Sequence, residues 1–167
     1  MFFAWTAFYQ TIGSASAALV GLLFIVATLS SRQQQGGVHL GVQLFMTPTV
    51  FHLSLVLVVS ALALAPLSPT YRPAAAMTLV ALVGCGNSIP VAIRIARLPN
   101  PSHWSDFWYY GAAPGAAYLA LAGATGAAWA GAGQAAHCVG LAVLILLALG
   151  IRNAWDLVTW LAPRRPG

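Results

Sequence analysis

The chain has very few charged side chains. Of its 167 residues, 5% are Asp, Glu, Lys or Arg, against about 25% in an ordinary soluble domain. Asp106 and Asp156 are the only acids, and all seven basic residues are arginine. A water-soluble fold of this size needs a polar surface, so this composition excludes most soluble enzymes.

Catalytic and metal-binding patterns are also missing from the sequence. There is no HExxH, GxSxG, P-loop or dinucleotide-binding motif. Cys85 and Cys138 lie in apolar stretches without CxxC or Cys/His spacing, which predicts small buried packing residues. Asp106 and Asp156 belong near the membrane surface, so they offer no carboxylate pair at depth. We therefore expect a protein that is not an enzyme and that holds no cofactor and no metal.

Long apolar runs dominate the sequence. Hydrophobic residues make up 60% of the chain, and the mean hydropathy is +0.83. A membrane-crossing helix needs about 20 apolar residues. Five stretches qualify, at about residues 5–30, 40–65, 73–96, 106–130 and 135–162. They are too long to be strands of a membrane β-barrel, and they lack the alternation of apolar and polar residues that such strands show. The sequence predicts one all-α domain, residues 1–167, a polytopic membrane bundle of about five helices. The uncharged linker 126–134 leaves open a four-span alternative, with one helix half-inserted.

The arginines predict the orientation of this bundle. Five of them fall at one end and one at the other: Arg32, Arg94, Arg97, Arg164 and Arg165 against Arg72. By the positive-inside rule the N-terminus is outside and the C-terminus cytoplasmic, as expected for a multi-pass protein of the bacterial inner membrane. The net charge of +5 then reflects topology and anionic headgroups, so we expect the lipid bilayer as a partner and no nucleic acid.

Small residues recur every four positions in two of the stretches. The fourth stretch carries Ala112, Ala116, Ala120, Ala124 and Ala128, beside a row that includes Gly115 and Gly123; the first carries Gly13, Ala17 and Gly21. Such rows let two helix backbones approach closely, which favours helix association in lipid. We expect them to pack within the chain, with an oligomer seam as the alternative.

Proline lies inside three of the stretches, at Pro48, Pro90 and Pro114. Each proline lacks an N–H, so it frees a backbone carbonyl and can kink its helix. Membrane helices tolerate such residues, and a gating hinge is the functional alternative.

Ionisable groups inside the membrane are the strongest functional pointers in such a sequence. Arg152 and Asp156 are four residues apart in the fifth stretch, so they share one helix face. Arg94 reaches a similar depth from the third stretch. We expect a structural ion pair between Arg152 and Asp156, with Arg94 nearby and the spare positive charge facing lipid phosphate. A permeation or anionic-ligand site and, third, catalysis are the alternatives.

Uncharged polar residues form a second group, nearer the middle of the membrane. His52 and Asn87 lie near the midplane, and Ser14 and Ser16 lie somewhat outward of them, at depths that allow one polar layer. We expect His52 to be a hydrogen-bonded structural residue. A proton-responsive role and haem ligation are the alternatives, but a second histidine at the same depth is missing.

The two ends of the chain resemble a known family. Phe8-Tyr9, the run Gly21-Leu22-Leu23-Phe24 and the run Arg152-Asn153-Ala154-Trp155-Asp156-Leu157 are similar to a family of small polytopic bacterial membrane proteins of uncharacterised function. That family combines a Gly/Ala-rich Gly-Leu-Leu-Phe first helix with an Arg-Asn-Ala-Trp-Asp-Leu run in the last. The resemblance implies a shared polytopic fold with its first and last helices tied together. It implies no activity and no cofactor.

These observations favour a non-enzymatic helical-bundle protein. It would be a structural or accessory subunit, as a homo-oligomer or with other subunits of a larger inner-membrane complex. The alternative is a homo-oligomeric channel or small-solute permease with a polar layer near His52 and Asn87. Five helices are too few to enclose a wide pore alone, so that alternative requires an oligomer.

Overall fold

The computed structural model describes residues 3–31, 45–66, 71–97 and 104–161, and five helices account for nearly all of them. They are α1 (Thr6–Ser31, after a 3-10 turn Phe3–Trp5), α2 (Thr47–Leu64), α3 (Tyr71–Ala96), α4 (residues 104–129) and α5 (Ala135–Leu161). Helix α4 runs through three segments: Trp104–Asp106, a π-helical stretch Phe107–Ala112, and Ala113–Trp129. The predicted all-α bundle is confirmed.

Four of these helices are long and apolar enough to cross a membrane. The candidate spans are Thr6–Thr28, Thr47–Leu64, Pro73–Ala96 and Ala135–Thr159. They match the first, second, third and fifth predicted stretches. In the fourth, the regular α-helix Ala113–Trp129 has 17 residues and follows the π-helical segment.

Helix α4 lies alongside α3 in antiparallel register. The contacts pair Gly111 with Ala92, Gly115 with Ser88, the Tyr118 ring with Gly84, and the Thr125 hydroxyl with that of Thr78. At about 1.5 Å per residue, the paired part of α4 is about 21 Å long. Helix α4 therefore lies alongside a candidate span over this length, and its role as a fifth crossing stays a prediction.

The helices form a ring of four with one helix outside it. Helix α2 contacts α3, α3 contacts α4, α4 contacts α5, and α5 contacts α2. Helix α1 packs against both α2 and α5. Just before α1 begins, the ring of Trp5 packs on Gly140 of α5: a Cβ atom added to Gly140 would lie 3.0 Å from the Trp5 ring. The first and last helices therefore touch, and α2 and α4 face each other across the ring.

The interior of the ring is filled with side chains, and its outer surface is apolar as well. Interior residues with at most 1% of their surface exposed include Leu53, Val56, Met77, Ala81, Tyr118, Leu121, Val143 and Leu146. On the outside, Leu22, Leu79, Leu119 and Leu141 each leave more than half of their surface exposed. A soluble protein rarely exposes so many large apolar side chains, whereas lipid tails accept them.

The small-residue ridge of α4 does not stay on one face. Ala124 is buried, and Ala112, Gly115 and Ala128 are half-buried, but Ala116, Ala120 and Gly123 are exposed. A row of every fourth residue drifts about 40° per step around an α-helix, so a long row cannot remain in one contact. The expectation that the whole ridge packs within the chain is corrected for these three residues.

The shorter row of α1 behaves similarly. Gly13 is buried, and a Cβ there would lie 3.2 Å from the Ser60 Cβ of α2, whereas Ala17 and Gly21 are exposed. The predicted packing within the chain is therefore corrected for Ala17 and Gly21 too.

Much of the evidence for orientation falls outside the described residues. Arg32, Arg164 and Arg165 lie there, and the side chain of Arg72 is not described. The N-out, C-in orientation thus stays a prediction.

Candidate functional site

The polar contacts between α4 and α5 concentrate at one end of the bundle, in a group that we call the Tyr–Asn cluster: Tyr109, Tyr110, Arg152, Asn153 and Asp156. Asn153 is its centre and is 1% exposed. Its Nδ2 donates to the Tyr109 carbonyl at 2.9 Å, and its Oδ1 accepts from Arg152 at 3.3 Å. One buried amide therefore connects the backbone of α4 to a cation on α5.

The Tyr109 carbonyl needs an outside donor because of Pro114. In a regular α-helix this carbonyl would accept from the N–H of Ala113, but that N–H bonds to the Trp108 carbonyl, five residues back. The next residue, Pro114, has no N–H to offer. In a regular α-helix Pro114 would free the Tyr110 carbonyl, four residues back; with the five-residue spacing seen here it is the Tyr109 carbonyl that lacks an N–H, and Asn153 of another helix satisfies it.

Tyr110 ties three helices together at this level. Its hydroxyl lies 3.1 Å from Asp156 Oδ2 and 3.3 Å from the Asn153 carbonyl, so its single O–H proton is shared between these two acceptors of α5. Its ring is 1% exposed and packs against Val91 and Ile95 of α3. Phe45, just before α2, meets the ring edge-on at 4.9 Å between centroids.

The predicted ion pair is replaced by contacts to these tyrosines. The Arg152 guanidinium lies over the Tyr109 ring, 3.7 Å from its centroid, and Asp156 accepts from Tyr110. In the part of the chain that the structure describes, no salt bridge joins Arg152 or Arg94 to Asp156. Arg94 is exposed near the end of α3. The expected three-residue ionic cluster is corrected, because α4 supplies partners that compete with it.

His52 forms the second polar contact, in the middle of the ring. Its Nδ1 lies 2.9 Å from the Tyr118 hydroxyl, and both side chains are buried. The Tyr118 ring packs on Gly84, where any Cβ would overlap it. The pair therefore joins α2 to α4 across the core, as expected of a hydrogen-bonded structural histidine, while Nε2 is buried without a partner.

The predicted polar layer does not form as one network. Ser14 is exposed, and Ser16 is buried without a hydrogen bond to its hydroxyl. The Asn87 Nδ2 is likewise buried without a partner. Within the described ranges, no hydrogen bond joins these residues to His52 or to one another. The layer is thus corrected to one paired histidine and separate polar atoms.

Among the described histidines and cysteines, none forms a site with His52. His137 packs its ring against Trp5, 4.9 Å between centroids, and His39 and His103 lie outside the described residues. Cys85 is half-buried, and Cys138 is exposed, which corrects the expectation that both are buried. No group of three His, Cys, Asp or Glu side chains suited to a metal occurs among the described residues.

Sequence reasoning missed the aromatic partners, although signals were present. Tyr109 and Tyr110 are typical of an interfacial aromatic belt, so nothing local indicates that one is buried. The useful signal is Pro114, which predicts an unpaired carbonyl, together with Asn153, an amide within an apolar span. A signal for Tyr118 as a polar partner was present as well, because it is the one tyrosine in a stretch of mostly small apolar residues.

Comparisons with known proteins add nothing to this geometry: no family model matches the chain, and neither a curated protein nor a solved structure matches it significantly. The resemblance of the chain ends to a bacterial membrane family stays a prediction.

Proposed function

We propose that this protein is a non-enzymatic accessory subunit of a membrane assembly, placed in the bacterial inner membrane. Its helices would provide a rigid surface on which another membrane subunit, or a second copy, packs side by side. The proposal assigns it no reaction and no cofactor.

The observation that carries the proposal is the outward face of α4. Ala116, Ala120 and Gly123 are exposed there, and Leu119 beside them is 67% exposed. In lipid, apolar burial alone drives little helix association, and close backbone approach at small residues drives more. This face is therefore suited to a helix from outside the chain.

A channel or permease is the second candidate, and it rests on the buried polar atoms of His52 and Asn87. The centre of the four-helix ring is filled, with Tyr118 bonded to His52 across it. Conduction would therefore have to run between copies rather than through one.

The test is the native mass of the protein extracted in mild detergent, with any partners identified. We expect a stoichiometric complex, which Ala120→Leu disrupts because a branched side chain separates closely packed backbones. Ala18→Leu is the matched control, since Ala18 is exposed on α1, outside the ring.

Each outcome of this test separates the candidates. Foreign subunits lost on Ala120→Leu support the accessory role, and a closed homo-oligomer with ion flux supports the channel. A monomer whose mass and melting temperature are unchanged by Ala120→Leu contradicts the proposal.

A further inference from the structure

Arg152 places a cation well inside a membrane-crossing helix. The candidate span of α5 ends at Thr159, seven residues after Arg152. At about 1.5 Å per residue, the Arg152 Cα lies about 10 Å inside that end. A charge at this depth is costly unless it is paired or reaches the interface, so we expect Arg152 to have a partner of opposite charge.

Among the described residues, Arg152 has no salt-bridge partner. A guanidinium has five N–H donors, and the structure gives one of them an acceptor, Asn153 Oδ1 at 3.3 Å. The face of the group is covered by the Tyr109 ring. The acid one turn away, Asp156, accepts from Tyr110 instead. Among the described residues, the other four donors have no acceptor.

Apolar and aromatic side chains lie exposed beside Arg152. Its neighbour Ile151 and, one turn on, Trp155 are exposed on α5, Trp155 at 71%. Tyr109, on which the guanidinium lies, is itself exposed. Tryptophan and tyrosine favour the headgroup level of a bilayer. Exposed apolar and aromatic side chains thus lie on one side of this half-buried cation, and the exposed carboxylate of Asp156 lies one turn further along α5.

A second arginine lies at the same height. Ala92 packs against Gly111 in antiparallel register, so Arg94 is level with Tyr109. Arg94 is exposed, and no acid of the described chain pairs with it. Two arginines, Arg94 and Arg152, therefore lie at this level of the bundle.

We propose that Arg152, held on the Tyr109 ring, binds the phosphate of an anionic phospholipid headgroup. The planar guanidinium offers paired N–H donors that match phosphate oxygens, and its alkyl stem can run along the helix toward the interface. The exposed aromatic and aliphatic side chains contact the acyl chains. A soluble anion would gain nothing from that apolar surface, whereas a lipid does.

The experiment measures lipid binding to the purified, delipidated full chain by native mass spectrometry. The probes are phosphatidylglycerol, phosphatidylcholine with the same acyl chains, and glycerol phosphate as a soluble phosphate. We expect phosphatidylglycerol to bind most tightly. Arg152→Gln should lower the affinity for phosphatidylglycerol by about tenfold or more, because one charge-assisted hydrogen bond is lost. The affinity for phosphatidylcholine should stay unchanged.

The matched control is Arg97→Gln, an exposed arginine just after α3, which should keep the wild-type affinity. Tyr109→Leu keeps the charge of Arg152 and removes the ring beneath it, so we expect a severalfold loss of affinity for phosphatidylglycerol. This variant tests the proposal if Arg152→Gln does not fold. The proposal is overturned if Arg152→Gln, or Tyr109→Leu in its place, binds phosphatidylglycerol as the wild type does. Equal binding of glycerol phosphate and phosphatidylglycerol would overturn the assignment to lipid.

Discussion

The hydrogen bond from Asn153 to the Tyr109 carbonyl predicts a coupling between two residues far apart in the sequence. Asn153→Leu keeps the number and branching of the side-chain heavy atoms but removes the amide that donates at 2.9 Å. The Tyr109 carbonyl then has no donor, because Ala113 is bonded to Trp108 and Pro114 has no N–H.

The magnitude follows from the cost of a buried acceptor without a partner. Leaving such a group unsatisfied costs about 1–3 kcal/mol in soluble proteins. Hydrogen bonds between membrane helices average about 0.6 kcal/mol and reach about 1.7. Asn153→Leu also removes the acceptor of Arg152. We therefore expect the variant to lose about 1–2 kcal/mol, seen as a lower melting temperature in detergent micelles.

Pro114→Ala tests the cause directly. The new N–H at position 114 is five residues after Tyr109, the same spacing as the bond from Ala113 to Trp108. It can donate to the orphaned carbonyl, so Pro114→Ala should recover about 1 kcal/mol in the Asn153→Leu background. In the wild type, where Asn153 already fills that role, it should gain less. Strictly additive effects in this double-mutant cycle would refute the reasoning.

Three further predictions concern the core and the orientation. Gly84→Ala should destabilise the bundle by about 1–3 kcal/mol, because the new Cβ would overlap the Tyr118 ring. The control Gly86→Ala has open space around it and should not destabilise the bundle. Equal melting temperatures of the two variants would contradict this packing. Tyr118→Phe removes the partner of His52 Nδ1 and should cost about 1 kcal/mol, also read by thermal melting; an unchanged stability would mean that the bond contributes nothing. A reporter fused at Gly167 should be cytoplasmic, and an external reporter would reverse the predicted orientation.

Helix positions could be predicted from the sequence because lipid cannot hydrogen-bond the backbone. A crossing segment must satisfy its own N–H and C=O groups, so apolar length alone indicates a helix. The stretch predicted at 73–96 appears as Tyr71–Ala96, and that predicted at 135–162 as Ala135–Leu161. The fourth stretch departs from a regular helix at Phe107–Ala112, where Pro114 removes a donor.

The rotation of each helix could not be predicted in the same way. In water an apolar stripe marks the inner face, but in a bilayer both faces are apolar and the stripe disappears. Helix α4 shows the consequence: Ala120 is exposed and Tyr118 is buried, although both lie in an apolar stretch. Side-chain size does not indicate the rotation either: Tyr118 and Leu121 fill the ring interior, whereas Leu119 between them is 67% exposed.

The ion pair between Arg152 and Asp156 was wrong for a related reason. A spacing of four residues states only that two side chains can meet on their own helix. It says nothing of what a neighbouring helix presents to them. Here α4 presents the ring of Tyr109 to the cation and the hydroxyl of Tyr110 to the carboxylate. Both tyrosines stand on the π-helical stretch that precedes Pro114. The partners of the two charges therefore depend on a proline in another helix, a dependence that no pattern within α5 records.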